Sequence, residues 1–370
     1  MDNDKTQTPD LGAVTAQLGE LLGTAPLKLD VLKTSGRAAV FRCQFADGRS
    51  AIAKLHAADT NEARHERAAL SFLTGLPEHA NALAPRLLAR SNDERLIVME
   101  ELKGEELTVS LERECEQTIE ERLVGFAREL GHFHGRVATQ LDQLPVSLHD
   151  VYRHDAQRAR SLLDKLNELL DQAGVQPAPG FDAAWVRVSE SLGVPGPFLT
   201  LTHGDLAPSN VLFSVAEPTR PRLVDFEYAG ARSGLYDVMF WEAAVPFPRW
   251  LGEPMTHAYR ATLGAHVHDA LDDELFSAQL ATLKTHRVFW WLSFRLRDAL
   301  LSGEGEWVPG WPLRRAYLWY LRNHLSSVAL LPALQPVFRT AEALHARLSE
   351  SWNERASAPA GFLSGARTEH

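Results

Sequence analysis

Apolar and polar positions change period four times along the chain. Residues 10–22, DLGAVTAQLGELL, put Leu11, Val14, Leu18 and Leu21 on one helical stripe. The run LKLDVLKTSGRAAVFRCQFADGRSAIAKLH then turns to β-branched and aromatic residues, broken at Ser35-Gly36 and Asp47-Gly48. Asp-Gly between alternating runs marks a hairpin, so antiparallel strands are expected near 28–34, 38–46 and 49–56. NEARHERAALSFLTGL returns to helical spacing and closes near Gly75. APRLLARSNDERLIVMEEL reads as two further strands around an Asn-Asp turn.

After Gly104 the pattern is mainly helical. TIEERLVGFARELGHFHGRVA is amphipathic, and DAQRARSLLDKLNELLDQAG reads as one helix ending at Gly174. VQPAPG and GVPGPF are loops, and helices resume from 235 to 350. No fixed-period repeat is present. A chain of 370 residues is too long for one small core. The expected fold class is α+β, with a mostly antiparallel sheet and one inserted helix over residues 25–102 followed by a larger helical part. Two domains are expected, 1–103 and 104–355, with a flexible tail over 356–370.

Charge and cysteine content narrow the picture. The net charge of −10 argues against nucleic acid as a partner, since phosphate backbones need clustered Lys and Arg. Cys43 and Cys115 make neither a disulfide framework nor a zinc-ligand spacing. MDNDKTQTPD has no basic or apolar leader region, and the aromatic run Val288–Phe294 is too short to span a bilayer. The expectation is a cytoplasmic monomer or homodimer without membrane contact.

The densest chemistry lies in LTHGDLAPSNVLFS, Leu201 to Ser214, and in RPRLVDFEYAG after it. Val211-Leu212-Phe213 and Leu223-Val224 are short strand-like runs, each with a polar cluster at its edge. A hairpin between them brings Asn210 and Asp225 together. One carboxylate and one amide oxygen, with phosphate oxygens and water, suit octahedral Mg²⁺. Asp205 is placed to take a proton from an attacking hydroxyl, and Pro208 stiffens the loop. This pattern points to phosphoryl transfer, where catalysis is mostly positioning and charge neutralisation.

His203-Gly204-Asp205-Leu206 with Asn210, then Asp225-Phe226-Glu227, keeps the Asp-to-Asn spacing of the protein-kinase catalytic loop. Gly stands for Arg, and Glu for the last Gly of Asp-Phe-Gly. In this form the motifs resemble the aminoglycoside phosphotransferase and choline kinase family. That resemblance implies a two-lobed, protein-kinase-like fold with a small N-lobe sheet that binds nucleotide and a mainly helical C-lobe. It implies an ATP-dependent kinase, with GTP an alternative to ATP, using Mg²⁺ on a small-molecule hydroxyl acceptor.

Within the resemblance, AIAKL makes Lys54 the phosphate-contacting lysine. Glu62 and Glu66 compete as its partner, and Glu66 is chosen because it shares a stripe with Leu70 and Leu73. Adenine is expected on backbone groups at Glu100, Glu101 and Leu102. Gly36 is all that remains of a glycine-rich phosphate loop. GLYDVMFW resembles the family's segment in which an aspartate, here Asp237, starts a helix and steadies the catalytic loop. Residues 141–197 carry little of the likeness.

Blander readings stand beside the sharp ones. His203 is read as structural, fixing the loop through its ring nitrogens, although a general base is the sharper alternative. His132 and His134 face different directions on a helix, which favours packing over metal binding. Glu227 is read as a carboxylate behind the metal site. Trp241, Trp290 and Trp291 are either core or walls of a cation-binding pocket. Arg295, Arg297 and Asp298 are read as a surface ion-pair face, with substrate contact the alternative. A cationic amino alcohol or aminoglycoside is the expected acceptor. Choline, ethanolamine, sugar or homoserine kinases are alternatives of the same fold. A non-catalytic nucleotide-binding scaffold and a protein kinase are the rivals from other classes.

Overall fold

The computed structural model describes residues 10–77, 83–214, 217, 219–301, 303, 305–308, 310–328 and 331–354. The tail expected over 356–370 lies outside the described residues. The chain opens with α1 (Leu11–Leu22), β1 (Lys28–Thr34), β2 (Ala38–Gln44), β3 (Ser50–His56) and α2 (Asn61–Gly75). It continues through β4 (Leu87–Arg90), β5 (Leu96–Glu100), β6 (Glu105–Glu106), α3 (Leu107–Arg113), α4 (Glu116–Ala138) and α5 (Val146–His149). Then come α6 (Val151–Ser161), α7 (Leu163–Gln172), α8 (Phe181–Leu192), β7 (Leu199–Thr202), β8 (Val211–Phe213), β9 (Pro221–Leu223) and β10 (Gly230–Ser233). The last part holds α9 (Leu235–Met239), α10 (Arg249–Gly264), α11 (Asp273–Leu301), β11 (Glu306–Val308), β12 (Trp311–Pro312), α12 (Leu313–Val328) and α13 (Gln335–Trp352).

These elements form two compact units. The first takes in the segment up to Leu107, Asp142–Leu148 and His203–Gly230; the second takes in Thr108–Leu141, His149–Thr202 and the segment from Ala231 on. The loop with Asp205 and the segment with Asp225 thus belong with the sheet, although helices flank them in the chain.

The sheet of the first unit has the order β1-β2-β3-β5-β4, with every pairing antiparallel. Gly48 at φ +82° closes the β2–β3 hairpin, as the Asp-Gly pair requires. One face buries Phe41, Cys43, Ala51, Ala53 and Val98 with Val14 and Leu18 of α1. Side-chain oxygens cap α1 and α2: Asp10 accepts from Gly12 and Ala13 N–H, and Thr60 from Ala63 N–H.

In the mainly helical second unit a large core joins α7, α8, α11, α12 and α13, and α10 packs on α4. The single helix expected over 155–174 is instead α6 and α7, divided at Leu162. The division has a packing cause: α6 packs on α8, whereas α7 packs on α11. One straight cylinder could not bury both apolar faces. The β11–β12 hairpin was not foreseen. Among the described residues no helix is long and apolar enough to cross a membrane, and Cys43 and Cys115 are free thiols.

Helices α4 and α10 come closest at Gly131. A Cβ there would stand 2.6 Å from the Tyr259 carbonyl oxygen and closer still to Thr262 Oγ1. Nearby, the buried His134 ring shares hydrogens with Tyr259 Oη (2.9 Å) and Asp237 Oδ2 (3.2 Å). The packing expectation for His134 therefore holds, in a polar form. Gly131→Ala should lower stability by about 1–3 kcal/mol through overpacking. Gly75→Ala, with open space around it, should stay within about 0.5 kcal/mol. Thermal unfolding of both variants checks the pair.

Candidate active site

Lys54 sits in β3, the middle strand of the sheet, opposite Val40 on one side and Ile97 on the other. It is 7% exposed, and a buried ammonium needs partners. The α2 stripe provides one: Glu66, buried with Leu70 and Leu73, puts Oε2 2.8 Å from Lys54 Nζ. Asp225 Oδ1 lies 2.6 Å from the same nitrogen and Glu227 Oε2 3.5 Å. Burial alone would lower the Lys54 pKa, but the Glu66 and Asp225 carboxylates outweigh it and hold the amine above its ordinary value. Burial would likewise raise Asp225, yet the Lys54 charge and hydrogen bond keep it below the usual carboxylate range. Glu227 goes the other way, raised by burial and by the Asp225 charge.

The loop after β7 is fixed by His203. Its Nε2 shares a hydrogen with the Val224 carbonyl at 2.9 Å, and its Nδ1 accepts from the Asp205 N–H at 3.3 Å. The Phe226 ring lies against the imidazole at 4.5 Å. Gly204 has φ +84°, a conformation that side-chain-bearing residues rarely adopt. Gly in place of Arg therefore has a backbone reason. The Asp205 carbonyl accepts from Ala207 N–H (2.9 Å) and from Asn210 Nδ2 (2.9 Å).

The expected hairpin forms. β8 pairs antiparallel with β9, and β6 adds to its free edge. One residue further, Val224 N–H donates to the Asn210 carbonyl at 3.0 Å, which sets Asn210 beside Asp225. Asp225 holds φ +68°, ψ +63°, a left-handed conformation costly for a residue with a side chain. Of the two metal candidates, Asn210 points its amide nitrogen at Asp205, which leaves Oδ1 as an acceptor; Asp225 is held as a carboxylate. An oxygen-only pair of this kind fits Mg²⁺ rather than a softer metal. Among the described residues no cluster of three or more His, Cys, Asp or Glu side chains could hold a metal by itself.

The remaining candidates lie along the same sheet. Gly36 is in the β1–β2 turn, and Glu100 ends β5, with Glu101 and Leu102 just beyond the ladder. The side chains of Glu100 and Glu101 are taken up by arginines: Arg222 at 3.2 Å and Arg42 at 2.6 Å. The Glu100 N–H is also engaged, donating to the Arg86 carbonyl at 2.9 Å. Sequence reading missed Arg37, whose guanidinium reaches Glu227 (3.4 Å) and Tyr228 Oη (3.0 Å). Nothing in GRAAVF marked it, because its partners are about 190 positions away.

The helical unit carries a cavity of about 470 Å³, lined in part by Tyr152, Asp155, Arg187, Glu190, Arg232 and Gln279. Arg232 Nε donates to Asp155 Oδ2 at 2.6 Å, and its NH1 donates to Thr202 Oγ1, at the end of β7, at 3.1 Å. The three tryptophans do not line it. Trp241 is buried and donates to Thr256, Trp290 packs edge-on to Phe294, and Trp291 lies over Tyr320. Tyr236, which does line it, already has Arg232 and Arg287 over its ring.

This fold and site define the two-lobed, kinase-like α+β class. The APH family model, described as the phosphotransferase enzyme family, matches residues 34–273, and the chain belongs to that family. Solved structures share its fold at low identity. The amicoumacin kinase hAmiN in complex with AMP-PNP, Ca²⁺ and Ami is 11% identical, with a TM-score of 0.53 over 92% of this chain and 94% of that one. The ADP-bound aminoglycoside phosphotransferase APH(2″)-Ib is 13% identical, with a TM-score of 0.53 over 90% and 99%. The streptomycin–ATP complex of APH(2″)-IIa is 13% identical, with a TM-score of 0.50 over 89% and 99%. No curated protein matches by sequence.

The cavity pair yields a stability prediction. Burial would raise the Asp155 carboxyl, but Arg232 outweighs it and keeps the folded-state pKa low. Its contribution to stability is then complete above the ordinary carboxylate pKa and is lost as pH falls through the folded value. Asp155→Ala leaves a buried guanidinium without its carboxylate and should cost about 3–5 kcal/mol at pH 7. Denaturant unfolding should show the gap to wild type narrowing below about pH 4.

Proposed function

We propose that the chain is an Mg²⁺- and ATP-dependent kinase that phosphorylates a hydroxyl of a small molecule. The observation that carries this reading is the cluster at Lys54. One buried ammonium is held by Glu66 and aimed at Asp225, which a hairpin sets beside Asn210. A buried ammonium flanked by carboxylates in this way suits a polyanion and its cation.

Each residue has a task in this scheme. Lys54, kept charged and oriented by Glu66, neutralises the α- and β-phosphates. Asn210 Oδ1 and the Asp225 carboxylate would hold Mg²⁺, which when bound offsets phosphate charge and lines up the γ-phosphoryl group. Peptide groups at Glu101 and Leu102 meet the adenine. The Asp205 carboxylate orients the acceptor hydroxyl and takes its proton as the acceptor oxygen bonds to the γ-phosphorus. The bond from that phosphorus to the bridging oxygen breaks, and ADP leaves. His203 acts through the loop it pins, as a positioning residue. GTP would need the same phosphate contacts and remains an alternative donor.

Within the helical unit, the cavity lined by Tyr152, Asp155 and Arg232 is the candidate acceptor site. Asp155 there is committed to Arg232, and Glu190 lies 3.4 Å from Arg160. The lining sets two guanidinium groups, Arg187 and Arg232, against two carboxylates, Asp155 and Glu190, and holds no tryptophan. The cavity therefore supports a neutral, hydroxyl-rich acceptor over the cationic one expected from the acidic balance and aromatic supply. The scaffold reading is disfavoured because the lysine, its glutamate, the catalytic aspartate and both metal candidates are all present.

Two outcomes are expected. Asp205→Asn should keep ATP binding and lower turnover by about 10²–10⁴-fold, read from ADP release in a screen of small alcohols, amines and sugars. Turnover within a few-fold of wild type would remove Asp205 from its role. Chelation of divalent cations should abolish turnover and Mg²⁺ should restore it; activity that persists in chelator contradicts the metal assignment.

A further inference from the structure

The β1–β2 turn lies where a kinase-like sheet meets phosphate, yet its amides are occupied. Ser35 Oγ accepts from the N–H groups of Arg37 (3.3 Å) and Ala38 (3.1 Å). The Ser35 N–H donates to the Ala38 carbonyl at 2.9 Å. A glycine-rich turn binds phosphate through free, convergent N–H groups. Here Ser35, Arg37 and Ala38 have spent theirs on holding the turn itself. The backbone is also tied from behind, since the Arg37 carbonyl accepts from Ala57 N–H at 2.8 Å.

Arg37 stands on this rigid turn with a side chain 68% exposed, and the cation reaches toward the Lys54 cluster. Its NH1 lies 3.4 Å from Glu227 Oε1, while Oε2 of the same glutamate lies 3.5 Å from Lys54 Nζ. One carboxylate thus spans the two cations. Glu227 occupies the place a phosphate group would take between them, with two oxygens facing two positive charges. Guanidinium groups bind phosphate oxygens through charge-assisted hydrogen bonds.

We propose that Arg37 is a phosphate-binding residue. It supplies by side chain what the glycine-poor turn withholds by backbone, and Tyr228 Oη (3.0 Å) and Glu227 (3.4 Å) are its partners when no nucleotide is bound. On triphosphate binding, Arg37 and Lys54 exchange the Glu227 carboxylate for phosphate oxygens. This rests on the nucleotide-binding reading above and adds to it a residue and an exchange.

Equilibrium binding by titration calorimetry tests it, with ATP, ADP and adenosine, each with Mg²⁺, added to wild type, Arg37→Ala and Arg37→Lys. Arg37→Ala should weaken ATP about tenfold or more, as expected for a charge-assisted phosphate contact, and leave adenosine within about twofold. Arg37→Lys should fall between, and the salt dependence of ATP binding should be shallower in Arg37→Ala than in wild type. Retained adenosine binding shows that the variant is folded. The proposal is overturned if Arg37→Ala binds ATP as wild type does. It is also overturned if that variant and Glu227→Ala weaken ATP and adenosine alike, the mark of a purely structural strap. Wild type that binds none of the three would overturn the nucleotide-binding reading together with this one.

Discussion

The structure of the first unit depends on keeping one ammonium charged inside a sheet. Lys54 can be buried in β3 only because Glu66 and Asp225 stand within 2.8 Å of it. That requirement fixes which face α2 presents, since Glu66 must sit inward with Leu70 and Leu73. It also fixes where the segment after β9 must end. Asp225 accepts a left-handed backbone conformation to reach the lysine, and the turn Phe226–Tyr228 then packs against α2. A site of this kind is expensive to assemble and selective once assembled, because each member is stable only with the others.

Around that pair, backbone hydrogen bonds do the positioning. His203 ties the Asp205 amide to the Val224 carbonyl, so the two loops that carry the chemistry cannot drift apart. Asn210 is oriented by the Asp205 carbonyl, and its own carbonyl accepts from Val224 N–H. The Asp205 amide and the Asn210 amide nitrogen are thus held by the loop itself, while the Asp225 carboxylate is held by Lys54. Rigid support behind reactive groups is what a reaction catalysed by alignment and charge demands.

Much of the first unit was legible because its signals are local. Alternation, an Asp-Gly turn and the α2 stripe predict β1, β2, β3 and α2 to within a residue or two. The spacing of His203, Asp205, Asn210 and Asp225 is equally local, so the hairpin and its polar edges could be read. What escaped is long-range or conformational. The Arg37–Glu227 and Asp155–Arg232 contacts join residues distant in sequence, with no periodicity to mark them. The break at Leu162 comes from α6 and α7 choosing different partners, which the amphipathic pattern of either helix does not encode. The φ of Gly204 is invisible until the loop is folded, so its glycine could be read only as the absence of arginine.

The central claim is that the Lys54 cluster handles the terminal phosphate of a nucleotide and passes it to a hydroxyl. Phosphorus NMR of Mg²⁺–ATP with a mixture of neutral polyols and wild-type protein tests this most directly, with Lys54→Met in parallel. The γ-phosphate resonance should be replaced by a phosphomonoester on one polyol, with ADP formed in equal amount, and Lys54→Met should leave ATP intact. A wild-type sample in which the γ-phosphate persists, or emerges only as inorganic phosphate across acceptors of every charge, would contradict the account.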